Sequence, residues 1–311
     1  MTKYVFICSA AHAGSTLLDL LIGAHTQVSS LGEISQLSKN IALNNDCSCG
    51  SAIRSCPVWQ EALKIAGDEA GIDILAEPYA LHMGYPLASR VVDASHQTRG
   101  YLTRRQLLLG LQYAQLRYGL PVSRVLPGLV DMGIDSNVRI YDAIRGVLHT
   151  DVIVDSSKSY LKAVSLYLRH PEHTRVLLLT RDGRGVLWSN IKKGVARGKG
   201  VREWRTTYSR AMPLLRRHIP QERCLRVRYE DLTGDTAGVL RSICDFIGLP
   251  FEPAMLDYRR KTHHIVNGNR MRLSSSSAIR ADEEWKVRLS PEDLQFFERR
   301  AGSLNRALGY A

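Results

Sequence analysis

Residues 4–33, YVFICSAAHAGSTLLDLLIGAHTQVSSLGE, constrain the fold more than any other stretch. Tyr4, Val5, Phe6, Ile7 and Cys8 are continuously apolar and partly β-branched, which predicts a strand buried on both faces in a parallel sheet. Small residues follow from Ser9 to Ala13, then Gly14, Ser15 and Thr16. Leu17, Leu18, Leu20, Leu21, Ile22 and Ala24 predict a helix apolar on more than one face, interrupted by Asp19. Strand, small-residue loop and buried helix together make an anion site. The first helical N–H groups lack partners inside the helix, and the helix dipole favours negative charge at that end. The loop Ala11, His12, Ala13, Gly14 and the hydroxyls of Ser15 and Thr16 are therefore candidate phosphate ligands. The plain alternative is a well-packed first βα turn, but packing alone has no use for so many hydroxyls.

With 311 residues and 44% hydrophobic content, the chain can build one substantial core. The expected organisation is a single domain over 1–311, with 45–150 as a mainly helical insertion on the acceptor side. A formal charge of +12 fits nucleic acid, a membrane surface or a polyanionic small molecule equally well. No aromatic-interleaved basic motif or DNA-binding spacing is present, so nucleic acid is not the expected partner. The first apolar run ends at residue 8, too early for a signal peptide, and no uncharged run reaches membrane-spanning length. A cytoplasmic protein without a membrane span is the expectation; the sequence does not reveal its oligomeric state.

An ATP-binding loop of the G-x-x-x-x-G-K-[ST] type requires a glycine where Ser9 stands and a lysine where Ser15 stands. SAAHAGSTLLDLLIGAH, followed by Gly32-Glu33, instead resembles the 5′-phosphosulfate loop of sulfotransferases that use 3′-phosphoadenosine 5′-phosphosulfate (PAPS). The nearest pattern is that of the bacterial, carbohydrate and tyrosylprotein branch, roughly S-G-x-x-R-S-G-[ST]-T-L. His12 departs from it, standing where that branch has Arg or Lys to hold the 5′-phosphate and the leaving oxygen. A neutral His donates one hydrogen bond and carries no charge.

Glu33 opens a helix expected over Ile34–Leu43, where a first-turn carboxylate is favourable in any case. Its position directly after the first βα unit also puts it at the carboxyl edge of the sheet, where it could take a proton from an acceptor hydroxyl. The resemblance implies that role for Glu33. His96 is a second candidate, because cytosolic aryl sulfotransferases use a His. Asp151–Asp155 predicts another strand, with Ser156 or Ser157 capping the helix Tyr160–Arg169. Lys158 lies between them; it is either a solvated surface residue or, as the resemblance implies, faces the sulfuryl group or the leaving phosphate.

Thr174–Thr180 is the next apolar strand and runs into Arg181-Asp182-Gly183-Arg184, with Ser189 further on. This is similar to the family's 3′-phosphate element, strand-R-D-x-R-x-x-x-x-S. An Arg fork and a Ser hydroxyl suit a phosphate physically. Asp182 can cap the following helix, and Arg184 can be merely a surface charge. The resemblance also implies that Arg270 or Arg272, in the run Gly268–Arg272, closes over the 3′-phosphate, with His263 lining the site or holding that loop.

Elsewhere, residues 192–205 are basic and poor in apolar anchors, which suggests a mobile cover ahead of a helix over 203–217. Helices are expected over Pro57–Ala70, 101–118, Asn137–Leu148, Thr236–Ile247 and Leu289–Leu308, and strands over Val28–Leu31, Leu87–Val92 and Arg223–Val227. The block Arg228–Leu232 reads as structural. Cys47, Cys49 and Cys56 lie in DCSCGSAIRSCPVW, and three readings stay open: a zinc site lacking one ligand, a local disulfide, or a compact loop with free thiols.

The expected fold is a three-layer, P-loop-like α/β domain around a parallel sheet of four or five strands. The expected reaction is transfer of a sulfuryl group from PAPS to a hydroxyl of a small-molecule, lipid or carbohydrate acceptor, with release of 3′-phosphoadenosine 5′-phosphate (PAP). Glu33, Lys158 and His12 would carry the chemistry, and the scheme demands no metal. A nucleotide kinase using ATP and magnesium, or a non-enzymatic nucleotide-binding module, are the competing readings.

Overall fold

The computed structural model describes residues 1–81, 83, 99–121, 133–274 and 276–310. Strands β1 (Tyr4–Ser9), β2 (Val28–Ser30), β3 (Val152–Lys158), β4 (Thr174–Thr180) and β5 (Cys224–Arg228) form one parallel sheet in the order β2-β3-β1-β4-β5. The apolar run at the N-terminus is its central strand. Alternation along β1 divides that run between two cores. Tyr4, Phe6 and Cys8 face one side, with Trp59, Tyr141 and Trp204; Val5 and Ile7 face the other, with Leu18, Leu21 and Ile243.

The helices that cover these faces are α1 (Ser15–Gly23), α2 (Leu37–Ala42), α3 (Pro57–Ala70), α4 (Arg99–Tyr118), α5 (Ile134–Leu148), α6 (Tyr160–Arg169) and α7 (Gly183–Ile191). The chain continues with α8 (Arg197–His218), α9 (Tyr229–Gly234), α10 (Thr236–Ile247), α11 (Trp285–Arg288) and α12 (Pro291–Ala307). The architecture is thus three-layered, with α1 and α10 on one face and α3, α5, α6 and α8 on the other. No helix among the described residues is long and apolar enough to cross a membrane.

Several local expectations change. Of the basic run 192–205, expected as a mobile cover, only 192–196 lie between helices: α8 begins at Arg197, because Val201, Trp204, Tyr208 and Ala211 recur at helical spacing and are buried. β3 runs on to Lys158, so Ser159, not Ser156 or Ser157, caps α6 by accepting from the Lys162 N–H. The helix expected over Ile34–Leu43 is a 3-10 turn, Ile34–Gln36, followed by α2. The strand expected over Leu87–Val92, and His96, lie outside the described residues.

From β1 the chain passes through α1 to β2 on one side, whereas β4 lies on the other side of β1. The carboxyl ends of β1, β3 and β4 therefore meet where the direction of winding reverses, the position at which open α/β sheets bind ligands.

Candidate active site

The loop after β1 is fixed from below by Tyr208 on α8. Its hydroxyl accepts from the Ala10 N–H at 3.2 Å and donates to the Leu179 carbonyl at 2.9 Å. His12 and Gly14 both take left-handed backbone conformations, with φ of 62° and 96°. At Gly14 a side chain is also sterically barred, since a Cβ would lie 2.5 Å from the Tyr229 ring. The first bond of α1 runs from the Leu18 N–H to the Gly14 carbonyl at 3.1 Å, so the N–H groups of Ser15, Thr16 and Leu17 precede the helical ladder. Thr16 Oγ1 accepts from the Asn269 N–H at 3.0 Å, joining the C-terminal segment to this helix start.

A cleft of about 470 Å³ opens above the loop. Ala11, His12, Gly14, Ser15, Thr16, Glu33, Lys158, Arg181 and Ser189 all line it, so residues separated by most of the chain converge on one site. Ala13 instead packs into the core beneath. Arg270 and Arg272 do not line the cleft; Arg272 donates to the Ile265 carbonyl at 3.3 Å, and the C-terminal segment brings Arg280 and Asp282 to the site instead. His263 is also buried away from it, its Nε2 2.7 Å from the Tyr258 carbonyl. The sequence reading passed over Lys192, Lys193, Tyr229 and Arg280 as well. Lys192 and Lys193 were visible only as part of a basic run, and Tyr229 only as part of a structural block.

Glu33 and Lys158 form an ion pair at the cleft, and Asn267 Nδ2 donates to the second carboxylate oxygen at 3.2 Å. Gly32 makes this possible. With φ of 76°, it admits the chain at residues 265–267, whose Asn267 carbonyl would lie 2.5 Å from a Cβ. The Val266 N–H then reaches the Leu31 carbonyl at 3.1 Å. On the other side, Asp155 accepts from the Ser157 N–H at 2.7 Å, and Lys158 follows in a left-handed conformation with φ of 69°.

His12 sits among cations. Lys193 Nζ lies 3.3 Å from His12 Nδ1, and an ammonium can only donate, so Nδ1 accepts and Nε2 carries the ring hydrogen. Burial, and then the charges of Lys193, Lys158 and Arg181, push the His12 pKa down to about 4. At neutral pH it is an uncharged donor, and positive charge on this side of the cleft comes from Lys158 and Lys193.

Arg181 is buried and held on several sides. Nη1 donates to the His12 carbonyl at 3.0 Å, Nη2 to the Asp282 carbonyl at 3.0 Å, and the guanidinium stacks 4.3 Å above the Tyr229 ring. The Asp282 carboxylate lies 3.1 Å from Arg181 Nη2 and 3.7 Å from Lys192 Nζ. Asp182 caps α7 by accepting from the Arg184 N–H at 2.9 Å, while Arg184 stacks 4.4 Å from the Trp285 ring. Chemically, the cleft offers backbone N–H groups and hydroxyls from the start of α1, a fixed guanidinium, and a carboxylate–ammonium pair.

Residues 127–253, less than half of the chain, match a family model described as Sulfotransferase family. Among solved structures, the sulfotransferase domain from the Synechococcus PCC 7002 olefin synthase is similar over 100% of this chain and 96% of that chain, at 19% identity and a TM-score of 0.52. The sulfotransferase domain from the curacin biosynthetic pathway is similar over 100% of this chain and 99% of that chain, at 17% identity and a TM-score of 0.50. At these identities the likeness is one of fold. No curated protein matches the sequence.

Proposed function

We propose that this chain is a member of the sulfotransferase family that moves a sulfuryl group from PAPS to the hydroxyl of a small-molecule, lipid or carbohydrate acceptor and releases PAP. The observation that carries this reading is the convergence on one cleft of the loop Ala11–Thr16, the Arg181–Ser189 element and the Glu33–Lys158 pair. When bound, PAPS supplies an activated sulfuryl group whose departure leaves charge on the nucleotide's 5′-phosphate.

The residues present suit such a molecule. The start of α1, with the Ser15 and Thr16 hydroxyls, offers donors for the 5′-phosphate. Arg181, Ser189 and Lys192 suit a second phosphate, and Asp282 already places a carboxylate against two of these cations. His12 donates through Nε2–H without adding charge, so Lys158 and Lys193 offset the charge that grows on the leaving oxygen. Glu33 accepts the acceptor's proton, and its ion pair with Lys158 places base and electrophilic cation side by side. Asn267 fixes the orientation of the carboxylate.

The reading is tested by incubating the protein with PAPS, or separately with ATP and magnesium, in the presence of a mixture of hydroxyl compounds. Sulfate esters formed in step with PAP support it. Phosphate esters formed from ATP, with none from PAPS, would replace it by the kinase reading.

A further inference from the structure

We propose that Cys47, Cys49, Cys56 and His264 form a zinc site that fastens the C-terminal segment of the cleft to the loop ahead of α3. The Sγ atoms of the three cysteines and a ring nitrogen of His264 all lie within 4.8 Å of one another. Cys49 and Cys56 Sγ are 3.6 Å apart, and His264 Nδ1 lies 3.3 Å from Cys56 Sγ and 3.8 Å from Cys47 Sγ. A tetrahedral ion with Zn–S of ~2.3 Å and Zn–N of ~2.0 Å requires ligand–ligand edges of roughly 3.5–3.8 Å. Two of these three separations, 3.6 and 3.8 Å, match those edges and the third, 3.3 Å, is slightly shorter, so small side-chain rotations bring the four donors around one ion.

Donor chemistry narrows the ion further. Three thiolates and an imidazole suit zinc, and they discriminate against the oxygen-seeking magnesium and calcium. Four protein ligands close the coordination shell, the mark of a structural site, whereas catalytic zinc keeps a position for water. Loading would release the thiol protons and leave one net negative charge on the centre. Arg272, bonded to the carbonyl of Ile265 next to His264, is placed to offset it.

The backbone is shaped around the ligands. Cys47 to Gly50 form a tight turn in which the Gly50 N–H donates to the Cys47 carbonyl at 3.0 Å, with Gly50 at a φ of 94°. Cys47 and Cys56 are fully buried, and Cys56 stands immediately before Pro57, at the start of α3. The fourth ligand arrives on a segment already tied to this loop. Ser48 Oγ donates to the His263 carbonyl at 2.7 Å and accepts from the Ile265 N–H at 2.8 Å, while Trp59 Nε1 donates to the His264 carbonyl at 3.0 Å. A disulfide between any two of the cysteines would leave a thiol and an imidazole facing it without a role; the metal uses all four.

The consequence reaches the cleft. Asn267, bonded to Glu33, and Asn269, bonded to Thr16, follow His264 within five residues. Zinc at this position fixes the segment that orients both side chains. The inference does not depend on which reaction the cleft performs.

The test is metal analysis of the full-length protein purified after growth with zinc, followed by titration of the demetallated, reduced chain with cobalt(II). About one equivalent of zinc per chain, and a cobalt complex with intense visible bands and thiolate charge transfer, are expected for a tetrahedral three-sulfur, one-nitrogen centre. Cys49→Ser and His264→Ala should lose the ion or weaken it by a factor of about ten or more, while Cys224→Ser, outside the cluster, should retain it. Zinc loading should raise the melting temperature of the wild type. Absence of stoichiometric zinc together with a weak, octahedral cobalt spectrum would overturn the proposal. So would a disulfide between two of the three cysteines found by mass spectrometry of the unreduced protein. Because cobalt is titrated into the wild-type chain, the result stands even if a variant fails to fold.

Discussion

Replacing Glu33 with Gln separates proton transfer from architecture. The side chains of Lys158 and Glu33 are 22% and 19% exposed, so their ion pair is only partly desolvated. Gln keeps one oxygen to accept from Lys158 and turns an amide NH2 toward Asn267, whose side chain can flip to accept with its carbonyl oxygen; the loss of charge should cost on the order of 1–2 kcal/mol of stability. For a chain of this length that is a fall in melting temperature of roughly 5 °C or less. Turnover should fall much further. A positioned base contributes about a hundredfold to ten-thousandfold, equivalent to roughly 3–5 kcal/mol of barrier. The assay is turnover at saturating PAPS on an identified acceptor, beside a thermal melt and the affinity for PAP. Aliphatic alcohols should lose more than phenols, which are acidic enough to need less help. Near-normal turnover with an unchanged melt would remove Glu33 from the reaction and pass the role to His96 or another histidine.

Three further outcomes follow from the same geometry. Lys158→Ala should lower turnover by about a hundredfold or more while changing PAP affinity by less than about tenfold, because the demand for charge grows as the bridging bond breaks; the reverse pattern would make Lys158 a binding residue. Lys193→Ala removes a charge that holds the His12 pKa near 4, so NMR titration should find that pKa higher in the variant yet still below the ordinary histidine range, since burial is the larger cause. An unchanged value would refute the contact. Asp19 is buried on α1, accepts from Ser156 Oγ at 3.1 Å, and has its pKa raised to about 7, chiefly by burial. The folded chain therefore holds this proton more tightly than the unfolded one, and the stability it contributes is lost as pH rises from about 4 through 7, by up to about 4 kcal/mol. Asp19→Asn should remove that loss, so its melting temperature relative to wild type should increase from pH 5 to pH 8; parallel curves would contradict this.

The parts of the site legible in the sequence are those written locally. The run Tyr4–Cys8, the small-residue loop and the leucine-rich helix announce a buried βα unit because strand, turn and helix each leave a compositional mark over a few residues. Arg181 and Lys158 are likewise marked by the apolar strands that end beside them. What escaped detection depends on contacts between distant segments. Tyr229 looks like packing until Arg181 is found stacked on it. Lys193 looks like solvent-facing charge until it meets His12 from 181 residues away in sequence. His264 joins a cysteine 208 residues earlier, so the cysteine cluster alone could not reveal its fourth member. The first turns of α8, ahead of the expected helix over 203–217, were obscured for a different reason: Val201 stands alone as a buried apolar side chain among basic residues and glycines.

The central claim is that the cleft recognises a nucleotide carrying phosphates at both its 5′ and 3′ positions. Calorimetric titration with PAP, AMP, and ATP with magnesium tests it most directly. Arg181, Ser189 and Lys192 should give the 3′-phosphate charge-assisted hydrogen bonds worth about 1.5–3 kcal/mol, so PAP should bind roughly ten- to a hundredfold more tightly than AMP, and more tightly than ATP. Equal affinity for all three, or a preference for ATP with magnesium, would contradict it.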